Sequence, residues 1–275
     1  MSALEIVEAM NSEDKNVAET VKLALPEIAD AVNLIADRLF QGGRLLYVGA
    51  GTSGRLGVMD ASECPPTFGV SPELIQGLIA GGVSALTDEI EGAEDNSIAG
   101  ESVMKNTGVN RKDVVLGLSA SGTTPFVLAA MEYTKQQGSA RIGLACEMDS
   151  VLLKNVDVAI CVPVGPEILY GSTRLKAGTA QKMILNMLST AVMVKLGKVY
   201  KNQMVDLRVS NIKLVRRAEV MVAELGEVSQ ETATKLLKET GNNVKTAIVM
   251  AKRKINILEA EKNLKAVDGI LSKII

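Results

Sequence analysis

The stretch Arg44-Leu45-Leu46-Tyr47-Val48-Gly49-Ala50-Gly51-Thr52-Ser53-Gly54 decides how the rest of the chain is read. An apolar run over 44–48 passes straight into glycines and hydroxyls, and a helical pattern follows over 53–64. A short apolar run bounded by turn residues reads as a buried strand. Similar runs recur at 74–79, 113–118, 141–145 and 157–162, with further helical patterns at 84–94, 125–137 and 149–155. Strand and helix in alternation imply an α/β domain: a doubly wound, five-stranded parallel sheet covered on both faces.

On the N-terminal side, Val17, Val21, Leu25, Ile28, Val32, Ile35 and Leu39 recur at helical spacing over 12–40. Pro26 divides that stretch into two helices, and Gln41-Gly42-Gly43 turns the chain into the first strand. On the C-terminal side, 174–200 is a long helical stretch rich in Ala, Met and Leu. From about 218 the chain becomes rich in Lys and Glu, with helical pieces at 218–225, 229–240, 242–252 and 256–274. Ser229 is placed to cap one of them, and Gly226, Gly241 and Gly269 mark breaks. The expected organisation is a ligand-binding domain over 1–217 and a small C-terminal helical bundle over 218–275.

The chain of 275 residues is 47% hydrophobic but only 3% aromatic, so its core must be aliphatic. A net charge of −2 supplies no general attraction for nucleic acid or an anionic membrane surface, and no apolar run has the length of a membrane span. Cys64, Cys146 and Cys161 form no C-x-x-C pair. Their odd number, with no signal peptide, points to a reducing cytoplasm. The chain has no histidine. That excludes Ser-His-Asp and Cys-His catalysis and His-ligated metal sites, and leaves acid–base work to carboxylates, Lys, Tyr or Cys.

Two loops are suited to an anion. Strand 44–48 runs into 49–54, and strand 113–118 runs into Ser119-Ala120-Ser121-Gly122-Thr123-Thr124-Pro125; a helix follows each. Free backbone N–H groups and the positive end of a helix dipole favour a phosphate there, at the carboxyl ends of parallel strands. Ordinary helix capping by Ser and Thr is the plainer alternative. The first loop is also a G-x-G-x-x-G, which raises a dinucleotide site. That site needs an acid after the second strand, where the sequence has Gln76-Gly77-Leu78-Ile79-Ala80-Gly81-Gly82.

Two glutamates stand out by position. If 84–94 is a helix, Val83, Leu86, Ile90 and Ala93 form its apolar stripe, and Glu94 falls on the same arc. Partial desolvation there would raise its basicity. In helix 53–64, Leu56 and Met59 mark the inward side, with Asp60 and Glu63 on that arc. Pro65-Pro66 is expected to end the helix, leaving Glu63 in the last turn, where the dipole favours its protonated form. The plainer alternatives are an ion pair between Glu63 and Arg55, and a helix leaving the core at Glu94.

The runs Val48-Gly49-Ala50-Gly51-Thr52-Ser53-Gly54-Arg55-Leu56-Gly57, Met59-Asp60-Ala61-Ser62-Glu63-Cys64-Pro65-Pro66-Thr67, Glu91-Gly92-Ala93-Glu94-Asp95 and Gly171-Ser172-Thr173-Arg174-Leu175-Lys176-Ala177-Gly178-Thr179-Ala180-Gln181-Lys182 resemble the signature of the N-acetylmuramic acid 6-phosphate etherases. The resemblance extends over nearly the whole chain, through Asn186-Met187-Leu188-Ser189-Thr190 and Met204-Val205-Asp206. It implies a sugar isomerase (SIS) fold, a homodimer, a phosphorylated sugar as substrate, and no cofactor or metal. It also implies lyase chemistry, with Glu63 as the acid and Glu94 as the base. Substrate contacts would come from Thr52, Ser53, Ser119, Ser121, Thr124 and Lys176, with Arg174 and Gln181 in the same motif as Lys176. Alternatives within that fold are a sugar-phosphate isomerase and a regulator that binds sugar phosphate without turning it over. The chain departs from the family pattern at Thr123, where Arg is usual, at Cys146-Glu147-Met148, where Cys-Asn-Pro is usual, and in the shorter segment before Leu4-Glu5-Ile6.

Overall fold

The computed structural model describes residues 1–207 and 212–275. Two helices open the chain, α1 (Ala3–Leu23) and α2 (Leu25–Phe40), separated at Ala24, with Pro26 in the first turn of α2, where its missing N–H costs nothing. Five strands follow: β1 (Leu45–Gly49), β2 (Ile75–Ile79), β3 (Val114–Leu118), β4 (Ala140–Ala145) and β5 (Val158–Cys161). They form one parallel sheet in the order β2-β1-β3-β4-β5. All five lie within a residue or two of the expected runs. Every residue of β1 and β3 is buried, as strands covered on both faces require.

The helices between strands are α3 (Gly51–Phe68), α4 (Ser97–Thr107) and α5 (Pro125–Gln136), with α6 (Lys176–Lys195) after the sheet. On one face, Leu46, Val48 and Val115 join Met104 of α4 and Phe126, Val127, Ala130 and Met131 of α5 in a hydrophobic cluster. On the other, Tyr47 meets α3 closely. A Cβ on Gly57 would stand 3.0 Å from Tyr47 Cβ and 3.0 Å from Leu118 Cδ1.

Contacts divide the chain into two units, Met1–Ser62 with Ser71–Thr190, and Glu63–Val70 with Ala191–Ile275. In the second unit, a short antiparallel pair, β6 (Val199–Tyr200) and β7 (Gln203–Met204), precedes α7 (Ile212–Gly226), α8 (Gln230–Glu239), α9 (Val244–Arg253) and α10 (Ile257–Ala266). Ser229 caps α8 by accepting from Thr232 N. Seven successive residues of α9, Val244 to Met250, are buried, which makes it the central helix of the bundle. Lys245 is among them. Its ammonium and that of Lys198 each donate to the same Asp206 oxygen at 2.8 Å. Burial pushes the Lys245 pKa down, and Asp206 opposes that shift.

Several elements differ from the sequence expectation. The stretch 84–94 is not a helix. It holds 3-10 turns at Val83–Leu86 and Ala93–Asp95, with Gly92 left-handed at φ 68 between them. Val83 and Ile90, half of the supposed apolar stripe, are exposed. Helix α4, which the apolar pattern did not signal, buries only Gly100 and Met104. The turn at 149–155 is helical only over Leu153–Asn155. Pro65 and Pro66 lie inside α3, which runs on to Phe68, so Glu63 is not in its last turn. The stretch 174–200 is helical only over Lys176–Lys195, with Val199 and Tyr200 in a strand.

Candidate functional site

In this strand order the chain runs from β1 outward to β2, then crosses back to β3 on the other side of β1. The carboxyl ends of β1 and β3 are therefore neighbours at a switch point, with Gly49 opposite Leu118. The loops leaving them diverge to opposite faces of the sheet, and the crevice between such loops is where doubly wound sheets bind ligands. Both hydroxyl-rich loops singled out in the sequence leave from these two ends.

The first loop is compact because glycine occupies its contact points. Gly51 takes φ +51 at the start of α3, and a Cβ on Gly54 would stand 2.7 Å from the Gly49 carbonyl oxygen. Thr52 is half-buried and lines a cavity of about 630 Å³, together with Ala50, Gly51, Arg55 and the segment from Thr87 to Asp95, which includes Glu94. Thr52 and Glu94 thus line the same cavity. Ser53 does not line it. It is buried, and its hydroxyl donates to Gln181 Oε1 at 2.9 Å. Gln181 is also buried, and its Nε2 has no hydrogen-bond partner among the described residues.

The second loop gathers its hydroxyls. Ser119 Oγ lies 2.8 Å from Thr124 Oγ1 and 3.4 Å from Ser121 Oγ, and accepts from Gly122 N at 3.0 Å. Ser121 Oγ lies 3.0 Å from Thr123 Oγ1. Thr124 occupies the N-cap position of α5 but makes no side-chain capping bond. Ordinary capping therefore does not account for its hydroxyl, which turns into the cluster. Gly122 holds φ +66 against Ser150, whose Cβ would be 2.3 Å from an added Cβ.

The remaining expected residues are placed as follows. Lys176 is buried, and its ammonium pairs with Glu13 at 2.6 Å. Its backbone N–H and that of Ala177 both donate to the Glu167 carboxylate at 3.0 Å. Glu167 thus supplies the anion that the α6 N-terminus favours, a role the sequence did not reveal. Arg174 is exposed. Glu94 is exposed on its turn rather than inward on a helix, and Glu63 is exposed on α3 within the second unit. The inward residue of the α3 arc is Asp60, 4% exposed, which accepts from Tyr47 Oη at 3.0 Å and Ser189 Oγ at 3.2 Å. Met59, expected to face inward, is 39% exposed.

Arg55 does not need Glu63 as a partner. Its Nε donates to the Leu86 carbonyl at 3.2 Å and its Nη2 to the Asp88 carbonyl at 3.0 Å. Burial, with Cys161 and Glu167 adding, pushes the Cys146 thiol up to about 12, and burial also raises Cys161. Both thiols stay protonated at neutral pH and are poor bases. Among the described residues, no group of three His, Cys, Asp or Glu is placed to hold a metal ion, and no helix is long and apolar enough to cross a membrane.

Comparison with known proteins bears on the fold and the family. The family model of the SIS domain matches residues 93–191. The model of the N-terminal SIS domain of glucokinase regulatory protein matches 27–135, and that of its C-terminal lid domain matches 201–240. Among solved structures, a phosphoheptose isomerase from Francisella tularensis superposes with a TM-score of 0.55 at 20% identity, covering 70% of this chain and 100% of that one. A phosphoheptose isomerase from Neisseria gonorrhoeae gives 0.52 at 18% identity, covering 70% and 98%. These two likenesses establish the fold. Sequence relatives are much nearer. The N-acetylmuramic acid 6-phosphate etherase of Clostridium beijerinckii is 49% identical over 99% of this chain and 90% of its own length. The protein of the same name from Salmonella choleraesuis is 51% identical over 97% and 90%. At that identity, along nearly its whole length, the chain belongs to the N-acetylmuramic acid 6-phosphate etherase family.

Proposed function

We propose that the protein is a lyase that cleaves the D-lactyl ether of N-acetylmuramic acid 6-phosphate, releasing N-acetylglucosamine 6-phosphate and D-lactate. The observation that carries this reading is the similarity from end to end, 49% identity across 99% of the chain, to proteins bearing that name. The clustered hydroxyls of Ser119, Ser121 and Thr124 at the α5 N-terminus support a phosphate site. Thr52 supports the sugar from the neighbouring loop, and buried Ser53 contributes from behind it through Gln181. Lys176 is engaged with Glu13, so its contribution to substrate requires that pair to open or to act through the α6 N-terminus.

The chemistry follows from the substrate. In the open-chain sugar the C1 aldehyde acidifies the proton on C2. Glu94 removes that proton, and Glu63 protonates the ether oxygen on C3 as the C3–O bond breaks, so D-lactate departs and a C2–C3 double bond remains. Water then adds its oxygen at C3. Glu63, now ionised, takes the proton from that water, and Glu94 returns one to C2. Both carboxylates end as they began, and no electrons are exchanged with an acceptor. The route uses two acid–base groups and no imidazole, in keeping with a chain that has none.

The same reading includes a homodimer working in the cytoplasm to recycle a cell-wall amino sugar, with 1–217 as the sugar-phosphate domain and 218–275 as the bundle. The exposed apolar side chains of Leu4, Ile6 and Val7 on α1 support a second copy. A second reading, a regulator that holds sugar phosphate unchanged, is favoured by the matches to both domains of glucokinase regulatory protein. Release of D-lactate by the unmodified protein decides between them, and Glu63→Ala and Glu94→Ala test the two roles. Each variant is expected to lose D-lactate release by at least about a hundredfold with an unchanged circular dichroism spectrum. Full activity in both variants would remove the assignment of these roles.

A further inference from the structure

Between β2 and α4 the chain runs through 83–95 without strand or α-helix. Its backbone hydrogen bonds are local, such as Asp88 N to Ser84 O and Ala93 N to Ile90 O. A segment of that kind has no ladder to hold its shape, so its position depends on what reaches it from other elements. Ala85 is buried and Ala93 packs on the hydrophobic cluster. Apart from bonds to its own neighbours in sequence, the hydrogen bonds that reach it among the described residues are two, and both come from Arg55: Nε to Leu86 O and Nη2 to Asp88 O. Arg55 stands one turn beyond Thr52 on α3, and both residues line the cavity that the segment from Thr87 to Asp95 also lines.

We infer that Arg55 is a positioning residue for Glu94: its guanidinium pins the segment that carries Glu94 to the first turns of α3 and so holds that carboxylate at the cavity that Thr52 also lines. The inference rests on the reading of Glu94 as the base. The planar fork of an arginine suits the task, because two donors in fixed relation meet two carbonyls two residues apart. A lysine ammonium offers a single point and cannot hold both in one orientation. The requirement is geometric. An exposed carboxylate on an unpinned turn samples many positions, and misplacement of a reacting group by about 1 Å costs on the order of a hundredfold in rate.

The test compares the full-length protein with Arg55→Ala and Arg55→Lys by two readouts. Hydrogen–deuterium exchange of the backbone is expected to quicken within 83–95 in both variants while β1 and β3 keep their protection. Steady-state kinetics on N-acetylmuramic acid 6-phosphate are expected to show the loss in kcat, on the order of a hundredfold for Arg55→Ala and less for Arg55→Lys, with KM nearly unchanged. Unchanged exchange in 83–95 overturns the inference. So does a loss confined to KM, which would mean that the guanidinium binds substrate directly. If Arg55→Ala does not fold, Arg55→Lys carries the same two readouts. If the unmodified protein releases no lactate, the proposed function fails while the exchange data still decide whether Arg55 pins the segment.

Discussion

Ser119 is the most constrained of the residues offered to a phosphate. It is 2% exposed, accepts from Gly122 N and shares a hydrogen bond with Thr124. Ser119→Ala removes one of the two acceptors of the Gly122 N–H, whose other partner is the Ser119 carbonyl at 3.1 Å, and takes away the partner of the Thr124 hydroxyl; this is expected to cost about 1 kcal/mol of stability, read as a lower urea midpoint, and to raise KM for the sugar phosphate. An unchanged KM would move the phosphate elsewhere. The hydroxyl loops were legible in the sequence because strand, small residues and helix follow one another locally. The setting of Glu94 was not. Val83, Leu86, Ile90 and Ala93 repeat at helical spacing, while Gly92 takes positive φ inside the stretch and breaks the helix the spacing suggests. For Glu63 the dipole argument failed because Pro65 and Pro66 lie inside α3. The family signature marked both glutamates, and local periodicity gave the wrong structural reason for each.

At the scale of elements, α3 shows why large apolar residues can mislead. The sequence suggested Leu56 and Met59 as its inner face. The structure turns Ser53, Gly54, Gly57, Asp60 and Ala61 inward instead, because the helix lies so close to the sheet that only small side chains fit. Gly77 of β2 marks the closest approach: an added Cβ would stand 2.4 Å from Val58 Cα. Neither backbone can yield without shifting the helix that carries Thr52 and Arg55. Gly77→Ala is therefore expected to cost about 1–3 kcal/mol or more in a denaturation curve. Wild-type stability in that variant would show that α3 is free to move away. Helix α4 escaped notice for a related reason. Its buried contacts are Gly100 and Met104, and a Cβ on Gly100 would stand 2.1 Å from the Phe126 carbonyl oxygen, so close packing replaces an apolar stripe. Its ends were readable in retrospect, with Asn96 capping through Ala99 N and Gly108 left-handed at φ 63.

At the scale of the molecule, the alternation of apolar runs and helices announced a doubly wound sheet, and the strand order adds what alternation cannot state. The pairing of β1 with β3 in the order β2-β1-β3-β4-β5 makes the two hydroxyl loops neighbours, and that adjacency depends on non-local pairing rather than on any window of sequence. A helical C-terminal region was legible from its Lys- and Glu-rich helical patterns, though α7 begins at Ile212; the burial of α9 on all sides was not, because Lys245 and Thr246 within it read as surface residues until Asp206 is seen to receive the lysine. The fold and the family signature meet in one chemical claim, that this chain breaks a sugar–lactate ether. The direct measurement is to incubate the purified protein with N-acetylmuramic acid 6-phosphate and quantify D-lactate and N-acetylglucosamine 6-phosphate over time. The account predicts that both appear in equal amounts, at a rate proportional to enzyme. Substrate that is bound but recovered unchanged, or converted to an isomer that still carries its lactyl group, would contradict it.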